Sequence, residues 1–144
     1  MNKSGYLLIE TLMGLAILGL VSVTFLPIFT CAFNNFYLLE IKDQMKYCGE
    51  TIMERIKSFD YLESSHEYIL DMKLTDIMNL FYEQNSVNLS LPISQHCEYK
   101  YKVKLEKENI GDSLWSVDVI IISKGHPERL KNVVFKSLLP KPKK

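Results

Sequence analysis

Met1-Asn2-Lys3-Ser4-Gly5-Tyr6-Leu7-Leu8-Ile9-Glu10-Thr11-Leu12 opens the chain, and how this stretch is read decides the fold. A short leader carries Lys3 and the initiator amine and ends at Gly5. Tyr6 begins an apolar run that reaches Phe33, interrupted by one carboxylate, Glu10. Leu12 to Phe33 carries no charge. As a helix rising about 1.5 Å per residue, that uncharged part is roughly 33 Å long, enough to cross the hydrocarbon core of a bilayer. The excess of positive charge ahead of it predicts an amino end in the cytoplasm and a carboxyl-terminal part outside. A secretory signal has a shorter apolar core and a small-residue cleavage site, and the sequence near Phe33 shows no such site. A plain signal anchor accounts for length and orientation but gives Glu10 no purpose.

Glu10 is the residue to weigh. A charged side chain at the centre of a bilayer costs about 2.5–3.5 kcal/mol. Near a helix start the cost is smaller, since the carboxylate approaches the interface and the helix dipole favours negative charge there. The run Gly5-Tyr6-Leu7-Leu8-Ile9-Glu10, with the apolar segment behind it, resembles the amino-terminal motif of type IV prepilins. That family includes the pilins and the pseudopilins of type II secretion and of DNA-uptake (competence) machines. Its pattern is a small basic leader, a Gly, an aromatic residue that is usually Phe, then Thr-Leu-Ile-Glu. Tyr6 here stands in the place of Phe and Leu7 in that of Thr. Pro27 lies twenty-one residues past Tyr6, where many members carry a helix-bending proline. The resemblance covers the first 33 residues.

The resemblance implies cleavage by a prepilin peptidase between Gly5 and Tyr6, N-methylation of the Tyr6 amine, and assembly with other pilin or pseudopilin subunits in the membrane. It also implies that Glu10 of one subunit meets the Tyr6 ammonium of a neighbour. A low-dielectric setting strengthens such a pair and penalises a subunit docked out of register. Gly5 suits a cleavage site, because a residue without a β-carbon lets a peptidase seat the scissile backbone closely. Pro27 removes a backbone donor and predicts a kink or local melting near Thr24–Pro27. Gly14 and Gly19 are five apart and do not make the Gly-x-x-x-Gly dimer pattern.

Beyond Phe33 the pattern turns amphipathic. Phe36, Leu39, Met45, Ile52, Ile56 and Phe59 recur at helical spacing, with Glu40, Lys42, Asp43, Lys46, Glu50, Glu54 and Lys57 between them. This predicts one helix from Tyr6 to about Ser58. Tyr61–Glu67 reads as a polar connection. A short second helix through Ile77, Met78, Phe81 and Tyr82 is expected, capped by Thr75 or Asp71. Asn85–Ser94 reads as a loop. From Glu98 to Glu106 the period is two, with Tyr99, Tyr101, Val103 and Leu105 on one face. Asn109–Asp112 is an expected turn. Trp115, Val117, Val119 and Ile121 make one face of a second strand whose other face carries Ile120 and Ile122, which predicts a central strand. Asn132–Leu139 is the expected third strand, and Pro140–Lys144 an expected disordered basic tail.

The expected fold class is therefore α+β and pilin-like: a long amino-terminal helix, its first half membrane-spanning and its second half amphipathic, packed on a small antiparallel β-meander. The corresponding division is leader 1–5, membrane and assembly half 6–33, amphipathic half 34–60, globular part 61–139 and tail 140–144. A length of 144 residues allows one such small domain besides the apolar segment. The formal net charge is zero but unevenly placed: residues 1–97 carry −5 and residues 98–144 carry +5. That division lets the two parts attract each other, or lets the basic one face an acidic partner.

Three cysteines, Cys31, Cys48 and Cys97, show no framework spacing. Cys48–Cys97 is the one bridge the order allows, and free thiols are the expected state. His66, His96 and His126 are scattered, His96-Cys97 cannot both face one site on a strand, and no metal site or cofactor is expected. No nucleotide-binding glycine loop or nucleophile elbow occurs, so the chain is not expected to be an enzyme. Lys100, Lys102 and Lys104 form a basic stripe. The tyrosines alternate to the other face, so nucleic acid is not an expected partner, and protection of a strand edge is the preferred reading. The expected function is a structural subunit of a pilus or pseudopilus. The alternative is a single-pass membrane-anchored protein whose domain binds a ligand or DNA without forming a fibre.

Overall fold

The structure, a computed structural model, describes residues 3–60, 66–93, 99–111, 113–125 and 128–142, the first three of them by their backbone. Two compact units result, Met1–Glu40 and Ile41–Lys144. One helix, α1 (Lys3–Lys57), supplies the described part of the first unit and enters the second. Its start and end match the expected helix to within three residues.

Of the expected kink or local melting near Thr24–Pro27, the melting does not occur: α1 is an unbroken α-helix with Pro27 inside it. The turn is rich in hydroxyl donors. Thr24 Oγ1 donates to the carbonyls of Leu20 (3.0 Å) and Val21 (2.9 Å), and Thr30 Oγ1 to that of Leu26 (3.0 Å). In an apolar setting a melted turn exposes several backbone groups, whereas proline costs one bond, so the helix continues.

The second unit holds a short hairpin, β1 (Tyr68–Ile69) with β2 (Met72–Lys73), then α2 (Leu74–Glu83) and a four-stranded sheet. The sheet is an antiparallel meander of β3 (Ser86–Leu91), β4 (Tyr101–Ile110), β5 (Leu114–Ser123) and β6 (Val133–Pro140), in that spatial order. β5 lies inside the sheet, paired with β4 and β6.

Four sequence expectations are corrected. Asn85–Ser94 is not all loop, because β3 occupies most of it. Val87 and Leu91 point to the core while Ser86, Asn88 and Ser90 are exposed, so its period-two pattern sits beneath turn-forming residue types. β4 runs on to Ile110, which shifts the turn to Gly111 at φ 68°. Glu98 and Asp112 lie outside the described residues, as do 61–65 of the expected polar connection. α2 is capped by neither Thr75 nor Asp71. It starts at Leu74, after Lys73 without a side-chain cap, and the Leu74 amide donates to the Glu67 carbonyl (2.9 Å). The tail is tied to the sheet at its start, the Lys141 amide donating to the Ser113 carbonyl (3.0 Å).

The core lies between the sheet's inner face, α2 and the α1 residues of the second unit. Met45, Ile52, Met53 and Ile56 of α1 are buried, followed by Phe59. Phe36 and Leu39, expected in the same stripe, are 69% and 55% exposed. Gly49 sits within the buried stripe. A β-carbon added to it would fall 2.6 Å from Phe135 Cδ2 and 3.2 Å from Ile121 Cγ1, so glycine permits the helix to touch β6.

Lys107 occupies a core position of β4, with 1% of its surface exposed. Its Nζ donates to the carbonyls of Phe81 and Gln84, both at 2.6 Å, at the carboxyl end of α2. It also lies 5.0 Å from the Trp115 ring centroid. A cation there satisfies orphan carbonyls and complements the negative end of the helix dipole. Burial, and secondly the charge of Lys141, push the Lys107 ammonium below the ordinary lysine range. Replacing Lys107 by Met leaves two carbonyls unpaired, and is expected to cost about 1–3 kcal/mol in denaturant unfolding. The sign with pH follows from a depressed folded value. The unfolded chain binds more protons, so stability rises with pH from the lowered value to the ordinary one, 10.5. Wild type is expected to gain on Lys107→Met across that window, and an unchanging difference would contradict the assigned charge.

Candidate functional site

In a helix, residues four apart share a face, so Tyr6 and Glu10 stand one above the other on α1. Gly5 lies one residue before Tyr6 on the same helix. Tyr6 is 76% exposed, and Leu7, Leu8 and Ile9 are 60–65% exposed. Glu10 is exposed as well. Pro27 is five turns further along α1 at about 3.6 residues per turn. The backbone thus holds Gly5, Tyr6, Glu10 and Pro27 on one element.

The surroundings of these residues are apolar and open. Leu12, Leu15, Leu18, Leu20, Val23 and Leu26 each expose 60% or more of their surface. Gly14 and Gly19 have nothing within 4 Å of an added β-carbon. Among the described residues, one helix is long and apolar enough to cross a membrane, and none of its most apolar window is buried. Burying such a surface is worth about 25 cal/mol per Å², so this helix is able to bury it by crossing a membrane. The polar side chains on this stretch turn inward to their own backbone. Thr11 Oγ1 donates to the Leu8 carbonyl (2.9 Å) and Ser22 Oγ to that of Leu18 (2.8 Å). Glu10 differs, because a carboxylate has no donor to give the helix and can only accept.

The remaining candidates separate. Cys31 is exposed on α1 and Cys48 half-buried, both as free thiols, and burial pushes the Cys48 thiol up from its ordinary value. Cys97, His96 and His126 lie outside the described residues, and with them the Cys48–Cys97 bridge. The basic stripe of β4 does not guard an edge, since β4 lies between β3 and β5. Lys104 is instead paired with Glu106 (2.6 Å) on the sheet's outer face, where Lys136 pairs with Asp118 (3.1 Å). An acidic pocket of about 210 Å³ lined by Glu106, Glu108, Ser116, Asp118 and Lys136 opens there.

Two residues that carry the second unit, Gly49 and Lys107, escaped the sequence reading. The signal for Lys107 was present: extending the alternation Tyr99, Tyr101, Val103, Leu105 by one step places it inside. Gly49 falls between Met45 and Ile52–Met53 on the same helical face, where a missing side chain marks a close approach. No protein-family model matches the chain, and comparison with curated proteins and with solved structures likewise finds no match.

Proposed function

We propose that this chain is a prepilin-like subunit, cleaved after Gly5 by a prepilin peptidase, methylated on the Tyr6 amine, and assembled through α1 into a type IV pilus or a type II secretion or competence pseudopilus. The observation that carries the reading is the register of Gly5, Tyr6 and Glu10 at the head of a helix whose apolar side chains are exposed over its first unit. A membrane anchor alone accounts for the apolar length. It does not account for a carboxylate four residues into the run, which costs free energy in lipid unless a cation meets it. Cleavage creates that cation, the new ammonium of Tyr6 on a neighbouring copy. The small sheet domain then stands outside the membrane, and the subunit is of minor or pseudopilin type.

The test is processing of a Gly5 variant. A bulky side chain at the scissile position obstructs close seating of the backbone, so Gly5→Leu is expected to accumulate in the membrane at precursor size, while Gly5→Ala retains part of the cleavage. Normal processing of Gly5→Leu in a strain carrying the peptidase refutes the assigned site.

A further inference from the structure

Five exposed cations of the second unit lie at one end of its sheet. β3 ends, β4 begins, β5 ends and β6 begins there, with Tyr101 opposite Ser123 and Ile121 opposite Val133. Lys100, Lys102, Lys124, Arg129 and Lys131 are all exposed at this end. Among the described residues of 99–102, 124–125 and 128–132 there is one opposing carboxylate, Glu128, for a net charge of +4. The frame is fixed: the Lys124 amide donates to the Lys100 carbonyl (3.2 Å), and Leu130 is buried to 6% exposure between the loop's cations.

This is also the end at which the chain enters the unit. Tyr101 Oη donates to Gln44 Oε1 (2.9 Å), and Gln44 is the fourth residue of a unit that begins at Ile41. Lys42 and Lys46 are exposed on the same turns of α1, Lys46 with Asp43 at 3.7 Å. The helix continues from Ile41 back into the apolar segment, so the basic end is the one from which the chain leads to that segment.

We infer that the basic end formed by Lys100, Lys102, Lys124, Arg129 and Lys131 docks on an anionic phospholipid surface, holding the second unit against the membrane before the subunit leaves it. The inference rests on the membrane-spanning part of the reading above and not on fibre formation. Polybasic segments near a membrane are drawn to acidic headgroups over about a Debye length, roughly 8–10 Å at physiological salt. Nucleic acid is the other polyanion of this charge. Single-strand binding needs open rings to stack bases, but Tyr99 and Tyr101 are half-buried and the Tyr101 hydroxyl is engaged.

The experiment uses the full chain reconstituted in vesicles of phosphatidylcholine alone, or with about one third phosphatidylglycerol, and reads acylation of individual lysines. Labelling of Lys100, Lys102, Lys124 and Lys131 is expected to fall about three-fold or more on the anionic vesicles and to recover near 1 M salt, where screening is complete within about 3 Å. Lys57 and Lys73 serve as internal references and are expected not to change. The triple variant Lys100→Glu, Lys124→Glu, Lys131→Glu is expected to insert normally and to lose the protection of Lys102. Equal labelling on the two kinds of vesicle, with the chain still inserted, overturns this inference alone. Protection by inorganic phosphate on phosphatidylcholine vesicles assigns a free-anion site, and protection by DNA without any effect of phosphatidylglycerol assigns nucleic acid; either overturns it. A chain that washes off the vesicles at high salt overturns the spanning reading and this inference with it.

Discussion

Glu10→Leu is expected to insert, to be cleaved after Gly5, and to be missing from fibres. The substitution removes an acid from an apolar helix, so insertion stays normal or improves. The scissile bond is outside the changed residue's turn, so processing persists. Assembly fails because the Tyr6 ammonium of a neighbouring copy then enters an apolar environment with no partner. Removing one member of a buried pair costs about 3–5 kcal/mol. Each tenfold in an equilibrium constant is about 1.4 kcal/mol, so a single contact weakens more than a hundredfold, and the loss repeats at every subunit. The measurement is membrane level, processing and fibre incorporation in one strain beside wild type. A processed variant that enters fibres at the wild-type level removes the strongest physical support for the proposed function.

Gly49→Leu is expected to unfold the second unit. A β-carbon already meets the Phe135 ring below 3 Å and presses on Ile121. Overpacking of this kind costs about 1–3 kcal/mol for small additions, and the three further carbons of Leu have the helix on one side and β6 on the other. Gly49→Ala is the informative partner. Alanine gains about 1 kcal/mol in helix propensity and loses more to the clash, so a net loss is expected in denaturant unfolding. Combining it with Phe135→Leu opens the contact and should recover most of the loss, a coupling that a double-mutant cycle reads directly. Additive losses would show that the close approach at Gly49 is not what limits the site.

The two predictions act on different layers, and the sequence exposes those layers unequally. The apolar run, the single charge within it and the alternation in β4 and β5 are legible because each is a strong periodic or compositional signal. β3 was not, since its solvent face is made of Ser and Asn, residues that read equally as a turn until pairing with β4 fixes them as the polar side of a strand. The β1–β2 hairpin is two residues per strand, with Leu70 at φ 55° in its turn, and a residue type that avoids that region gives no turn signal. Phe36 and Leu39 share the helical phase of buried residues but precede the second unit, so periodicity alone placed them in a core that begins at Met45. The candidate site shows the opposite balance. Gly5, Tyr6, Glu10 and Pro27 are all named by the sequence, and the fold adds that α1 presents them without a break and leaves Tyr6 and Glu10 exposed. Their proposed partner is another copy, which no single chain displays.

The central claim is tested most directly by the intact mass of the mature protein purified from membranes of a cell that carries a prepilin peptidase. A chain beginning at Tyr6 with one added methyl group is the predicted result. A chain retaining Met1, or one beginning near Phe33, contradicts it.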